Sequence, residues 1–174
     1  MRESGILMPV FSLPSRFGIG SFSREAYEFV DFLHGAAQGF WQILPVGPTG
    51  YGNSPYQPFS AFAGNPYFIS LETLIEEGLL TWDECNAADF GSDETRVDYG
   101  ALYANRDILL EKAHERFIEA GREAEEYKKF IKREEEWLKD YALFTSIKKK
   151  MNGVPWYEWE AGLKKRNADA LKKA

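Results

Sequence analysis

Residues 5–46 read GILMPVFSLPSRFGIGSFSREAYEFVDFLHGAAQGFWQILPV and decide the fold that the sequence predicts. Two apolar runs of strand length, residues 5–11 and 40–46, flank a segment at 24–38 whose apolar residues recur at helical spacing. Gly39 is placed to end that helix. A strand, a helix and a strand in this order form a βαβ unit, so we expect two parallel strands joined by a right-handed crossover.

The rest of the chain predicts helices and no further strand after residue 71. Residues 71–78 indicate a short helix that ends at a glycine, and residues 81–100 indicate a polar connector. Apolar stripes at helical spacing in residues 101–119 and 123–150 predict two long helices that pair as an antiparallel hairpin. Because two parallel strands do not make a stable sheet by themselves, we expect self-association or pairing with a missing carboxy-terminal part.

The loop after the second predicted strand carries many aromatic rings. Residues 47–68, GPTGYGNSPYQPFSAFAGNPYF, interleave tyrosine and phenylalanine with glycine, proline and small polar residues. This composition excludes a helix interior and a central strand, so the rings either pack inward beneath an ordered loop or stand open as platforms for a ligand. Core packing is favoured for Phe59, Phe62 and Phe68, and the two alternatives are even for Tyr51 and Tyr56.

The position of this loop favours a binding role. It leaves the carboxyl end of a predicted parallel strand, which is where α/β sheets and barrels bind ligands. Tyrosine rings with neighbouring Asn, Gln and Ser side chains match the C–H faces and hydroxyl groups of sugars. Glycoside transfer also needs two carboxylates on a rigid frame, whereas the acidic residues at 72–98 lie on predicted helix surfaces or in the polar connector. The residues therefore predict a platform without a catalytic centre.

Composition excludes several other classes of function. The 174 residues, 44% of them apolar, can bury the core of one domain, and a net charge of −6 offers no basic surface for nucleic acid. No apolar run is long enough to cross a membrane. Cys85 is the only cysteine and there is no Cys/His cluster, so we expect neither an intrachain disulfide nor a zinc site, and a reducing, cytoplasmic location.

Four stretches resemble the amino-terminal part of the amylomaltase family, the 4-α-glucanotransferases. They are SGILMPVFSLPSRFGIGSF, FWQILPVGPTGYGNSPYQPFSAFAGNPYFISL, VDYGALYA and WLKDYALF. The resemblance implies an α/β fold in which residues 1–71 begin a (β/α)8 TIM barrel of the α-amylase type, with residues 47–68 as the substrate-binding loop. It implies that residues 72–174 form an inserted, mostly helical subdomain that is incomplete at its carboxyl terminus.

The resemblance also implies a reaction and a set of binding residues. The family transfers α-1,4-glucan segments to the 4-hydroxyl of glucose or another glucan by a retaining mechanism, without a cofactor. Tyr56 resembles the tyrosine that stacks on the sugar at the cleavage point, whereas Tyr51 and Tyr103 resemble a pair that forms a second glucan groove. Asn53 stands where many members have Asp. The complete set of predicted substrate-binding residues is Tyr51, Asn53, Ser54, Tyr56, Gln57 and Tyr103.

Two hypotheses follow for the chain. In the first, it is the amino-terminal portion of a 4-α-glucanotransferase, which supplies glucan contacts while the catalytic carboxylates lie beyond residue 174. No catalytic or metal-binding residue is then assigned here, and α-1,4-glucans such as maltooligosaccharides, starch or glycogen fragments are the partners. In the second, the chain is a stand-alone glucan-binding or structural module without activity.

Overall fold

The computed structural model describes residues 2–50, 52–93, 95–121 and 125–173. Its contacts divide the chain into two compact units, Met1–Ala124 and Glu125–Ala174. Among the described residues, no helix combines the length and the apolar character that are needed to cross a membrane.

The first unit begins with the predicted βαβ arrangement. Strand β1 (Gly5–Leu7), helix α1 (Arg24–Gly35) and strand β2 (Phe40–Gln42) follow in order. The two strands are parallel, with Ile6 opposite Trp41, which confirms the predicted pairing. Both strands are shorter than the apolar runs that predict them. Pro9, which has no N–H to donate to a ladder, interrupts the first of these runs soon after β1.

The core of the first unit lies beneath loops and helices rather than on the sheet. Every residue of β1 is exposed, and β2 is exposed except for a half-buried Trp41. The ring of Phe17 is buried between Phe90 and Trp82, with ring centroids at 5.9 and 6.1 Å. Other buried members of this cluster are Val10, Leu13, Ile19, Leu71, Leu80, Cys85, Leu102, Leu109 and Ala113.

Three capped helices complete the first unit. These are α2 (Leu71–Glu76), α3 (Trp82–Ala87) and α4 (Tyr99–Glu119). The prediction of a polar connector over 81–100 is therefore wrong at α3, a helix that begins with a capping box. The Thr81 hydroxyl accepts from the Glu84 N–H at 3.3 Å, and the Glu84 carboxylate accepts from the Thr81 N–H at 3.0 Å.

Glu84 also joins α3 to α4. Its two carboxylate oxygens accept bonds from the Arg116 guanidinium at 2.7 and 2.8 Å, and Lys112 Nζ lies 2.6 Å from one of them. The hydrogen bonds from Arg116, followed by those from Lys112, hold the pKa of Glu84 well below its usual range. The carboxylate therefore stabilises the fold in its charged form.

The second unit is helical. It contains α5 (Glu125–Arg133), α6 (Glu135–Lys150), α7 (Ala161–Lys164) and α8 (Ala168–Lys173). The prediction of one continuous helix over 123–150 is wrong, because Glu134 leaves helical geometry (φ −100°, ψ 11°) and its carboxylate accepts bonds from Arg133 and Trp137. Ile147, Trp159 and Leu163 form a small core. The predicted hairpin of helices 101–119 and 123–150 spans both units and stays a prediction.

Replacing Glu84 with Gln tests the link between α3 and α4. We expect Glu84→Gln to lower the free energy of unfolding at pH 7 by about 1 kcal/mol. The amide oxygen of Gln can still accept from the Thr81 N–H, but the charge that pairs with Arg116 and Lys112 is lost. Because the pKa of Glu84 is lower in the folded than in the unfolded chain, this stabilisation is complete above the unfolded value of about 4.3 and is lost as the pH falls below it.

Urea unfolding of both proteins at pH 7 and pH 3.5 measures this dependence. The difference between them should shrink at the lower pH. Glu76→Gln, which changes an exposed carboxylate on α2, is the matched control and should have little effect. A difference between wild type and Glu84→Gln that does not change with pH would contradict the role of the charged carboxylate.

Candidate functional site

The aromatic loop, residues 47–68, is closed at its base. The Asn65 N–H donates to the Val46 carbonyl at 2.7 Å, and the Asn65 side chain accepts from the Tyr67 N–H at 2.9 Å. The second bond caps the 3-10 turn Pro66–Phe68. Gly47 lies so close to Pro58 that an added Cβ would be 2.9 Å from the proline side chain. The two ends of the loop are thus joined, and the loop is packed at its base.

A tight turn inside the loop presents Tyr56 to solvent. The Gln57 N–H donates to the Ser54 carbonyl at 3.2 Å, and the Ser54 hydroxyl accepts from the Tyr56 N–H at 3.4 Å. Asn53 precedes this turn in the left-handed region, with φ 54°, a conformation that asparagine tolerates better than most residues. Tyr56 is 68% exposed, and Gln57 is exposed beside it. Ser54 is half-buried and shapes the turn.

Helix α4 brings a second tyrosine to the loop. The Tyr103 hydroxyl donates to Oδ1 of Asn53 at 2.6 Å, which joins two residues that lie fifty positions apart in the sequence. The Tyr103 ring also packs edge-on against Tyr67, with ring centroids at 5.6 Å, and is 46% exposed. Burial, followed by the charge of Asp107, raises the pKa of Tyr67, so the phenol beneath Tyr103 is neutral at physiological pH.

The predicted site residues therefore have different outcomes. The structure brings Asn53 and Tyr103 together and places Ser54, Tyr56 and Gln57 on one turn of the same loop. Tyr51 lies outside the described residues, so the predicted groove between Tyr51 and Tyr103 stays a prediction, as do the sugar contacts of the whole set.

The prediction of core packing is correct for one phenylalanine and wrong for two. Phe68 is buried, whereas Phe59 is 42% and Phe62 72% exposed. The Ser60 hydroxyl accepts from the Phe62 and Ala63 N–H groups at 3.2 and 3.1 Å, and in this turn Ala63 is the buried residue. The loop consequently offers more exposed aromatic surface than the sequence predicts.

The sequence interpretation misses one buried polar residue close to this site. Arg106 lies on α4 among the apolar positions Leu102, Leu109 and Ala113, and all four are buried. An arginine at helical spacing within an apolar stripe is the signal that could have identified it. Its guanidinium donates to the carbonyl of Ile69, immediately after the 3-10 turn that ends the loop.

The side chains at this site suit binding better than acid/base chemistry. Half-exposed phenol rings can lie against an apolar ring face, while amide and hydroxyl groups can bond to hydroxyl groups of a ligand. Among the described residues, no carboxylate is buried, and no three acidic, cysteine or histidine residues are grouped to hold a metal ion. The site can therefore hold a neutral, hydroxyl-rich ligand.

Comparisons with known proteins identify a family. Residues 8–174 match the Glyco_hydro_77 family model, described as 4-alpha-glucanotransferase. The chain is 48% identical over 171 residues to a 4-alpha-glucanotransferase of Streptococcus pneumoniae serotype 4, covering 98% of this chain and 34% of that protein. It is 46% identical over 175 residues to a 4-alpha-glucanotransferase of Thermus thermophilus, covering 99% and 34%. The chain thus spans about a third of the length of these curated relatives.

A solved structure is also similar throughout this chain. Amylomaltase from Streptococcus agalactiae in complex with acarbose superposes with a TM-score of 0.93 at 42% sequence identity. The similarity covers 99% of this chain and 35% of that protein. At this identity, the likeness extends beyond a shared fold.

Proposed function

Because the chain belongs to the Glyco_hydro_77 family of 4-alpha-glucanotransferases, we propose that it supplies glucan-binding residues to an enzyme of this kind. The reaction is the transfer of α-1,4-glucan segments to the 4-hydroxyl of glucose or another glucan. The observation that carries the proposal is the bond between Tyr103 and Asn53, which connects α4 to the aromatic loop and holds an exposed phenol ring in place. The solved relative in complex with acarbose, a glucan-like ligand, supports it.

The geometry allows a specific mode of sugar binding. A pyranose ring would lie with its C–H groups against the exposed part of the Tyr103 ring. Since the Tyr103 hydroxyl uses its proton on Asn53, its oxygen can accept a bond from a sugar hydroxyl, while the Asn53 amide N–H₂ can donate one. Tyr56, which is exposed on the neighbouring turn, would provide a second stacking surface.

We propose that β1, α1 and β2 begin a (β/α)8 barrel of the α-amylase type, and that residues 72–174 form a mostly helical insertion. Leu7 on β1 is 54% and Phe40 on β2 is 58% exposed, and parallel strands are normally covered on both faces. Further strands and helices of the barrel would cover this apolar surface. The same surface suits self-association, or pairing with the rest of a protein that is as long as the curated relatives.

Catalysis would require groups from outside these residues. A retaining glycoside transfer needs two carboxyl groups roughly 5–5.5 Å apart, one as nucleophile and one as acid and base. Among the described residues, buried acidic side chains are absent, and Glu84 is held by Arg116 and Lys112 in a structural link. In this proposal the described residues would contribute contacts to glucan rather than the reacting carboxylates.

A second candidate is a glucan-binding module that acts alone. One observation favours it: the aromatic loop is closed by Asn65 and joined to α4 by Asn53 within the first unit itself. The binding surface would then form without other residues of a larger enzyme. An activity assay can distinguish the two candidates only in a longer protein, because both predict that the chain itself binds glucan.

We expect the isolated 174-residue chain to be inactive on maltotriose, because the described residues offer no buried carboxylate for the reaction. Incubation with maltotriose, followed by separation of the sugars, should show no release of glucose and no longer maltooligosaccharides. The same preparation with a complete relative added is the positive control. Products formed by the chain alone would contradict the proposed division between binding and catalysis.

We expect maltohexaose to bind to the isolated chain through Tyr103. Its addition should shift the tyrosine ring signals in NMR spectra, and Tyr103→Ala should weaken binding about tenfold or more, which corresponds to about 1.4 kcal/mol. Tyr157→Ala, which removes an exposed tyrosine of the second unit, is the matched control and should bind like wild type. A wild-type chain with no saturable response at millimolar sugar would favour a structural module instead.

A further inference from the structure

Arg106 is the largest fully buried side chain among the described residues, and it touches two loops. It is 1% exposed, within the apolar stripe of α4. Its Nη2 donates to the Ile69 carbonyl at 2.6 Å, and its Nη1 donates to the Phe17 carbonyl at 3.3 Å. Phe17 lies in the segment after β1, whereas Ile69 follows the aromatic loop after β2. One guanidinium thus joins both loops to one helix.

A buried guanidinium is a costly way to fill this position. Burial lowers the pKa of Arg106 to about 10, with an opposing effect from the charge of Glu72, so the group stays charged at neutral pH. Nε is buried and has no hydrogen-bond partner in the described part of the chain. An apolar side chain would pack beside Leu102 and Leu109 without this desolvation. An apolar side chain, however, cannot donate hydrogen bonds to two carbonyls from different loops.

Helix α4 contacts the aromatic loop through a second residue, Tyr103. Tyr103 lies three residues before Arg106, close to one helical turn away. It bonds to Asn53 in the middle of the aromatic loop and packs against Tyr67, while Arg106 bonds to Ile69 just after the end of that loop. Two anchors on one rigid helix therefore fix the middle and the end of the loop relative to each other.

We propose that Arg106 is a positioning residue for glucan binding, which holds the aromatic loop on α4 so that Tyr103 and Asn53 stay bonded. This inference rests on the proposed function of that surface. Arg106 would contact no sugar itself and would act through its hydrogen bond to the Ile69 carbonyl. Lysine cannot replace it, because its single ammonium lacks the planar fork that reaches both carbonyls at once.

The test compares the same change at two arginines of α4. Arg106→Lys should weaken maltohexaose binding about tenfold, which corresponds to about 1.4 kcal/mol. Arg116→Lys alters a guanidinium that also bonds to a backbone carbonyl, that of Leu79. In the described part of the chain its hydrogen bonds go to Leu79 and Glu84, outside the aromatic loop. We expect it to bind like wild type, even where urea unfolding shows a comparable loss of stability.

A double-mutant cycle separates positioning from general stability. If Arg106 acts through the bond between Tyr103 and Asn53, Arg106→Lys should have little further effect on affinity in a Tyr103→Phe background, which lacks that bond. An equal loss of affinity in both backgrounds would overturn the proposal.

A measurement without sugar keeps this inference distinct from the proposed function. The ring signals of Tyr103, assigned by comparison with Tyr103→Phe, should shift in Arg106→Lys and stay in place in Arg116→Lys. Unshifted signals in Arg106→Lys would overturn the positioning role, whether or not glucan binds. Failure of wild type to bind maltohexaose would overturn the proposed function alone.

The reverse measurement applies if Arg106→Lys does not fold. Tyr103 is on the surface, and Tyr103→Phe removes only a hydroxyl group. In a chain with labelled arginine side chains, this change should shift the Nε–H signal of Arg106. A signal that does not move would contradict coupling between the two residues.

Discussion

The hydrogen bond from the Asn65 N–H to the Val46 carbonyl is the constraint on which the candidate site depends. At 2.7 Å it joins the two ends of a long loop that is rich in glycine and proline. A loop of this composition loses much conformational entropy when it becomes ordered. A hydrogen bond that joins its two ends restricts the backbone conformations that its aromatic residues can adopt. The cap on Tyr67 and the turn at Ser60 then determine which rings point inward.

Helix α4 turns this closed loop into a surface with defined geometry. Its buried face belongs to the core of the first unit, so the helix is a fixed reference for Tyr103 and Arg106. Tyr103 supplies both an exposed ring and the bond to Asn53. Arg106 joins the segments that follow β1 and β2, the two places where a parallel sheet presents its ligand-binding loops. Core packing and the contact with the aromatic loop thus come from adjacent turns of one helix.

Local patterns in the sequence predicted the parallel strand pair, and short motifs predicted the family, but contacts between distant residues lay beyond both. The early end of β1 could have been predicted from Pro9, which interrupts the first apolar run. Helix α3 was missed although Thr81 and Glu84 form a capping-box pattern. The break between α5 and α6 at Glu134 has no glycine or proline from which it could be predicted. The helical spacing of Arg106 within an apolar stripe indicates its burial, but the carbonyls to which it bonds, and the bond between Asn53 and Tyr103, depend on tertiary packing.

In the proposed function, a glucan lies against Tyr103 where α4 meets the aromatic loop. The most direct measurement is a set of NMR distance contacts between the protons of bound maltohexaose and the labelled tyrosine rings of the chain. We expect contacts from the sugar C–H groups to the ring of Tyr103. Contacts confined to the exposed Trp156 and Tyr157 of the second unit, with none to Tyr103, would contradict it.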